Sequence, residues 1–121
     1  MSNDALHHHG QDVLDDVIPL GRDLRRMIPD VYKGYAAVHS AALAPGALDA
    51  KTKELIALAI AVTRQCDGCI ASHAKGAAGA GASQEEVAEM LGVAILMNGG
   101  PATVYGPRAY SAFTEFLGKQ G

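Results

Sequence analysis

The sequence predicts an all-α domain of about six helices, and three observations predict it. Apolar residues recur at intervals of three and four along most of the chain, and alternation of β-branched and aromatic residues with period two is nowhere sustained. The breaks between the periodic stretches fall at Pro, Gly and capping residues.

Residues 1–12 read as a flexible N-terminal tail, and residues 13–121 as one domain. Val13, Leu14, Val17 and Ile18 suggest a short helix, disturbed at Pro19 and Gly21, with a helical continuation from Asp23 to Ile28. Pro29 suits the first turn of the next helix, which carries Val31, Tyr35, Val38 and Ala42 and ends at Ala44-Pro45-Gly46. Asp49 is a good cap for a third helix, whose run Leu55 to Val62 is apolar on all sides and so should be buried on all sides. Gln65 to Gly68 interrupts the pattern. A helix beginning near Cys66 then passes through Ile70, His73 and Ala77 to a stop at Gly79 or Gly81. Ser83 with Glu86 three positions later is a capping box, and the helix it opens is apolar almost all round from Met90 to Met97. Asn98-Gly99-Gly100-Pro101 is the last breaker. Beyond it Pro107 should kink or restart the final helix, with Phe113, Phe116 and Leu117 turned inward.

Composition narrows the function classes. Of 121 residues 14 are Gly and only six are Phe or Tyr, with no Trp, so the core must be built from small side chains. The net charge is -3, and no basic cluster exceeds Arg25-Arg26, which argues against nucleic acid as a partner. Met1 to Asp16 has no export-signal pattern, and the longest apolar run has eight residues against the ~18–20 that cross a bilayer, so a cytoplasmic protein with no membrane span is expected. Helices as apolar as these exceed what one small chain can cover, and a homo-oligomer is expected for that reason.

Cys66-Asp67-Gly68-Cys69 holds the only two cysteines. At the first turn of a helix, such a pair lies within disulfide reach, and the exposed N–H groups and helix dipole favour thiolate. His73 follows Cys69 by four residues, one turn on and on the same face, where its imidazole can share the sulfur's proton. Glu54 sits next to the apolar run of the preceding helix, where an ionisable group needs a partner or a raised pKa. Antiparallel packing would put Glu54 and Cys66 at opposite ends of a rod of roughly 16 Å, so only a crossing angle or a neighbouring subunit brings Glu54 to the pair.

Glu54, Cys66-x-x-Cys69 and His73 at these spacings resemble the signature of the carboxymuconolactone decarboxylase and AhpD-like alkylhydroperoxidase superfamily. The flanking Lys53-Glu54-Leu55-Ile56-Ala57-Leu58, Ala80 to Glu86 and Met97-Asn98-Gly99-Gly100-Pro101-Ala102 fit it too, and the likeness spans Ala47 to Phe116. The resemblance implies an AhpD-like fold assembled as trimers or hexamers. It implies a peroxidase or disulfide oxidoreductase in which Cys69 is the buried attacking thiol, Cys66 resolves the intermediate and meets an external dithiol reductant, and Glu54 and His73 relay protons. The substrate would be an alkyl hydroperoxide or another small molecule. Gly68 departs from the pattern, because the best-studied members carry a second His there.

Rival readings stand beside this one. Cys66 and Cys69 can be small core residues, or, with His73 and either Glu54 or His39, zinc ligands, although a structural zinc site more often uses two separated ligand pairs. The leading reading calls for no metal and no cofactor. Glu54 alone would be a first-turn carboxylate favoured by the helix dipole. His39 reads as a packed or interface residue, His7-His8-His9 as a solvated feature, and Gly76, Gly79 and Gly81 as close-packing or capping positions. A lactone decarboxylase needs acid–base chemistry and no second cysteine. A non-enzymatic redox sensor differs from an enzyme in not consuming peroxide catalytically with dithiothreitol.

Overall fold

The computed structural model describes residues 8–120, which form six helices. They are α1 (Gln11–Met27), α2 (Pro29–Leu43), α3 (Ala50–Thr63), α4 (Asp67–Gly79), α5 (Gln84–Asn98) and α6 (Gly100–Gln120). Residues 1–7 of the expected tail lie outside the described residues, and α1 begins inside that tail at Gln11. Its first amide has no capping partner on Gly10. The Glu115 carboxylate of α6 takes that place, accepting from the Gln11 N–H at 3.3 Å.

Several helix ends follow from their local sequence. Asp49 accepts from the Thr52 N–H at 2.8 Å, which holds the Asp49 carboxyl below the usual carboxylate range. Ser83 Oγ accepts from the Glu86 N–H at 3.1 Å, while Glu86 Oε1 accepts from the Ser83 N–H at 2.9 Å, closing the capping box. Lys51 Nζ of α3 reaches Glu86 at 2.9 Å and does most to hold the Glu86 carboxyl below its ordinary range. The contribution of this clamp is therefore present above the ordinary carboxylate pKa and is lost as pH falls through the depressed one. Ser83→Ala should lower unfolding free energy by ~1 kcal/mol in denaturant titration, and no change would mean that the box adds nothing to stability.

The core lies where α4 packs on α3 and α6, and α5 packs on the same two helices. Leu58, Val62, Ile70, Val87 and Phe113 are its large, fully buried side chains. Alanines such as Ala71, Ala74, Ala109 and Ala112 fill the rest, as the composition requires. Phe113 and Phe116 are buried as expected, and Leu117 packs against the cluster from its edge.

At two of the expected disturbances the helix continues. α1 runs unbroken through Pro19 and Gly21, and α6 through Pro107. A proline forfeits one helical hydrogen bond and strains the preceding turn. In α1 the helix packs along α4 and in α6 buried residues on both sides of the proline (Ala102, Gly106, Ala109, Ala112) anchor each half to the core. The expectation of burial on all sides also changes. Ile56 and Ile60 of α3 and Val93, Leu96 and Met97 of α5 are exposed in the single chain. No helix among the described residues is long and apolar enough to cross a membrane.

Candidate active site

The turn from α3 to α4 sets the cysteines. Gln65, at φ 54°, is the one described non-glycine residue in the left-handed region, and it turns the chain so that the Cys66 N–H donates to the Ala61 carbonyl at 3.1 Å. Cys66 then caps α4: its Sγ accepts from the Cys69 N–H at 3.3 Å, and its carbonyl accepts from the Ile70 N–H at 2.8 Å. The first turn of α4 folds the two cysteines together as a disulfide, with their Cα atoms 5.2 Å apart, inside the range that such a bond requires. Cys66 is half-buried and Cys69 exposed in the single chain, the reverse of the burial that the resemblance implies for Cys69.

Glu54 does reach the site, and from the same chain. α3 and α4 cross so that Glu54 Oε2 lies 2.8 Å from His73 Nδ1, with only 14% and 19% of the two side chains exposed. An ionised carboxylate can only accept, so Nδ1 carries the hydrogen and Nε2 is the ring nitrogen left free to take a proton. Cys69, His73 and Gly76 fall at i, i+4 and i+7 on one face of α4. Gly76 explains how Glu54 fits there: a Cβ at this position would fall on the Glu54 carboxyl group. The lack of a side chain at Gly76 is what lets the carboxylate lie against the α4 backbone.

Three neighbours complete the surroundings. His39 of α2 stacks on His73, with ring centroids 5.9 Å apart and planes 22° apart. Arg108 of α6 pairs with Asp67 at 3.2 Å, beside Cys66, and lies over the Tyr105 ring at 4.4 Å. His9 is near that pair. Burial pushes its imidazole down, with His8 and Arg108 adding to the effect and Asp67 opposing it. The His8 and His9 rings lie 4.0 Å apart, tilted by 42°, with His8 exposed, in keeping with a solvated feature, and His9 half-buried, while His7 lies outside the described residues. Among the described residues no group of three or more His, Cys, Asp or Glu is arranged to hold a metal ion.

The sequence brought out Cys66, Cys69, His73 and Glu54, and the structure gathers them around α4. It missed the stacking of His39 on His73, which nothing in the spacing of α2 distinguishes from an ordinary helical face. Gly76 carried a fainter signal as a glycine one turn after His73 inside a helix. An Ala would favour the helix by about 1 kcal/mol, so something has to require the smaller residue.

A model of the carboxymuconolactone decarboxylase family matches residues 29–116. Curated relatives include an uncharacterised protein of Haemophilus influenzae, 47% identical over 76% of this chain and 81% of its own length. Another, from Cupriavidus necator, is 39% identical over 70% of this chain and 75% of its own. In Paracoccus denitrificans, "uncharacterized protein 4 in cox locus" is 39% identical over 69% of this chain and 76% of its own length. Among solved structures, an apo carboxymuconolactone decarboxylase family protein of Legionella pneumophila superimposes with a TM-score of 0.85 at 40% identity, covering 88% of this chain and 96% of that one.

Proposed function

This chain belongs to the carboxymuconolactone decarboxylase family, and from that premise we propose that it is a thiol-dependent peroxidase that reduces organic hydroperoxides with the Cys66–Cys69 pair. The observation that carries this reading is a disulfide-forming pair at the start of α4, one turn from a histidine hydrogen-bonded to a carboxylate. A lactone decarboxylase would have use for the acid–base pair but none for the dithiol.

In the reduced protein, His73 Nε2 takes the Cys69 proton, and Glu54 balances the imidazolium charge from Nδ1. The thiolate attacks one peroxide oxygen. The O–O bond breaks, Cys69 becomes a sulfenic acid, and the alkoxide leaves with the proton held by His73. Cys66 then attacks the Cys69 sulfur, forming the S–S bond and releasing hydroxide, which leaves as water with the Cys66 proton. An external dithiol reduces the disulfide, so each cycle turns one hydroperoxide and one dithiol into an alcohol, water and one disulfide. Catalytic loss of tert-butyl hydroperoxide with dithiothreitol is the expected result. Oxidation that stops at one equivalent per chain would instead make the protein a sensor.

The same reading includes a homo-oligomer, a trimer or hexamer. Val93, Leu96 and Met97 of α5 are 61%, 78% and 77% exposed, and Ile60 of α3 is 56% exposed, apolar side chains that a soluble monomer rarely leaves bare. Light scattering at micromolar concentration should give a multiple of the 12.5 kDa chain, and a mass at that value would sink the assembly.

A further inference from the structure

Between α1, α2 and the start of α4 lies an open cavity of about 850 Å³, large enough for a small-molecule ligand. The two helices turn back on each other at Ile28; α1 packs on α4, and α2 reaches α4 through His39. There Val17 stands where a Cβ on Gly68 would meet it at 3.8 Å, and His39 stacks on His73. Gly68 and Ser72, which flank Cys69 in sequence, line this end of the cavity. Leu14, Val17 and Ile18 give its α1 side an apolar wall.

The opposite end, near Ile28, is cationic. Arg25 and Lys33 both line it, and no Asp or Glu lines the cavity anywhere. Arg26, the next residue, pairs with Asp23 at 3.6 Å, but among the described residues neither Arg25 nor Lys33 has a carboxylate partner. Arg25 lies over the Tyr32 ring at 5.5 Å instead. Two cations without a carboxylate partner at one end of the cavity, with His39, Gly68 and Ser72 near Cys69 at the other, make a site polarised along its length, although neither cysteine itself lines it.

We propose that this cavity binds an anionic amphiphile, a medium-chain hydroperoxy acid, with its carboxylate at Arg25 and Lys33 and its hydroperoxide at Cys69. The proposal rests on the peroxidase reading and names the substrate class for it. Arg25 is eight residues along α1 from Val17, about 12 Å of helix, which matches an alkyl chain of roughly eight to ten carbons between the anion and the reacting oxygen. The reaction is the one already written, with the hydroxy acid as the alcohol released.

Calorimetry on the oxidised full-length chain with decanoate, butyrate and methyl decanoate, each below its micelle concentration, separates binding from catalysis. Decanoate should bind at least tenfold more tightly than either butyrate or methyl decanoate. In the Arg25→Gln/Lys33→Gln variant, decanoate affinity should fall tenfold or more. The same variant should lose at least tenfold of its kcat/KM preference for a ten-carbon hydroperoxy acid over tert-butyl hydroperoxide. Both side chains are at the surface, and a far-ultraviolet circular dichroism spectrum like that of the parent checks that the variant folds. Decanoate that binds no better than butyrate, or equally well to the variant, overturns the proposal, and so does a second copy of the chain filling the cavity and shutting decanoate out. If decanoate binds as expected while tert-butyl hydroperoxide is not turned over, the peroxidase reading fails and the anion site stands.

Discussion

Cys69→Ser should abolish peroxide turnover and leave almost no sulfenic acid to trap, whereas Cys66→Ser should still form a sulfenic acid on Cys69 under limiting peroxide. Two effects compete at this pair. Cys66 is the capping residue of α4, and its sulfur accepts the Cys69 N–H at 3.3 Å where the helix dipole is strongest, so its thiolate is the better stabilised by local field. Cys69 has the base: His73 is one turn on, held by Glu54 at 2.8 Å, while Cys66 is seven residues from that imidazole. The dipole contributes ~0.3–1 kcal/mol, whereas a positioned base contributes about 10²–10⁴ in rate, or roughly 3–5 kcal/mol, so the base decides. The exposure of Cys69 in the single chain agrees with attack there, since the peroxide must reach the sulfur. Serine is itself a good N-cap, so Cys66→Ser should keep the start of α4 intact. Dimedone labelling read by mass spectrometry tests the order, and labelling of Cys66 in the Cys69→Ser protein at the wild-type rate would reverse it.

What could be read from the chain was what short range determines. Asp49, the Ser83–Glu86 box, Pro29 at a helix start and the helix that begins at Cys66 and runs through His73 are all set within one or two turns, and each is found in the structure as expected. Pro19 and Pro107 lie inside continuous helices, so a proline alone did not show where a helix ends: α6 continues past Pro107 with buried residues on both sides of it. Glu54 marks the boundary between the two cases. Its residue type and neighbours single it out, but its meeting with His73 depends on the crossing of α3 and α4 and on a glycine at position 76. His39 lies wholly beyond it, since its ring reaches His73 only through the way α2 folds back at Ile28.

That dependence on Gly76 makes a paired experiment. Glu54→Gln keeps the size of the side chain and an oxygen that can still accept from His73 Nδ1, but removes the charge that balances the imidazolium when Nε2 takes the Cys69 proton. Turnover should fall about 10²-fold, with a changed pH profile between pH 5 and 8 and little change in unfolding free energy. Gly76→Ala reaches the same interaction from the other side. Its Cβ would occupy the position of the Glu54 carboxyl, so the carboxylate must swing off His73 while every ionisable group in the site remains. Alanine in place of a helical glycine gains up to about 1 kcal/mol, which offsets part of the local repacking and keeps the variant folded. If Glu54 acts through His73, Gly76→Ala should lose turnover by a factor comparable to Glu54→Gln, and combining the two should add little, because the second change removes an interaction already gone. If Glu54 only stabilises the start of α3, Glu54→Gln should match wild type in rate across that pH range, and any loss in Gly76→Ala would be independent of it and multiply in the double variant.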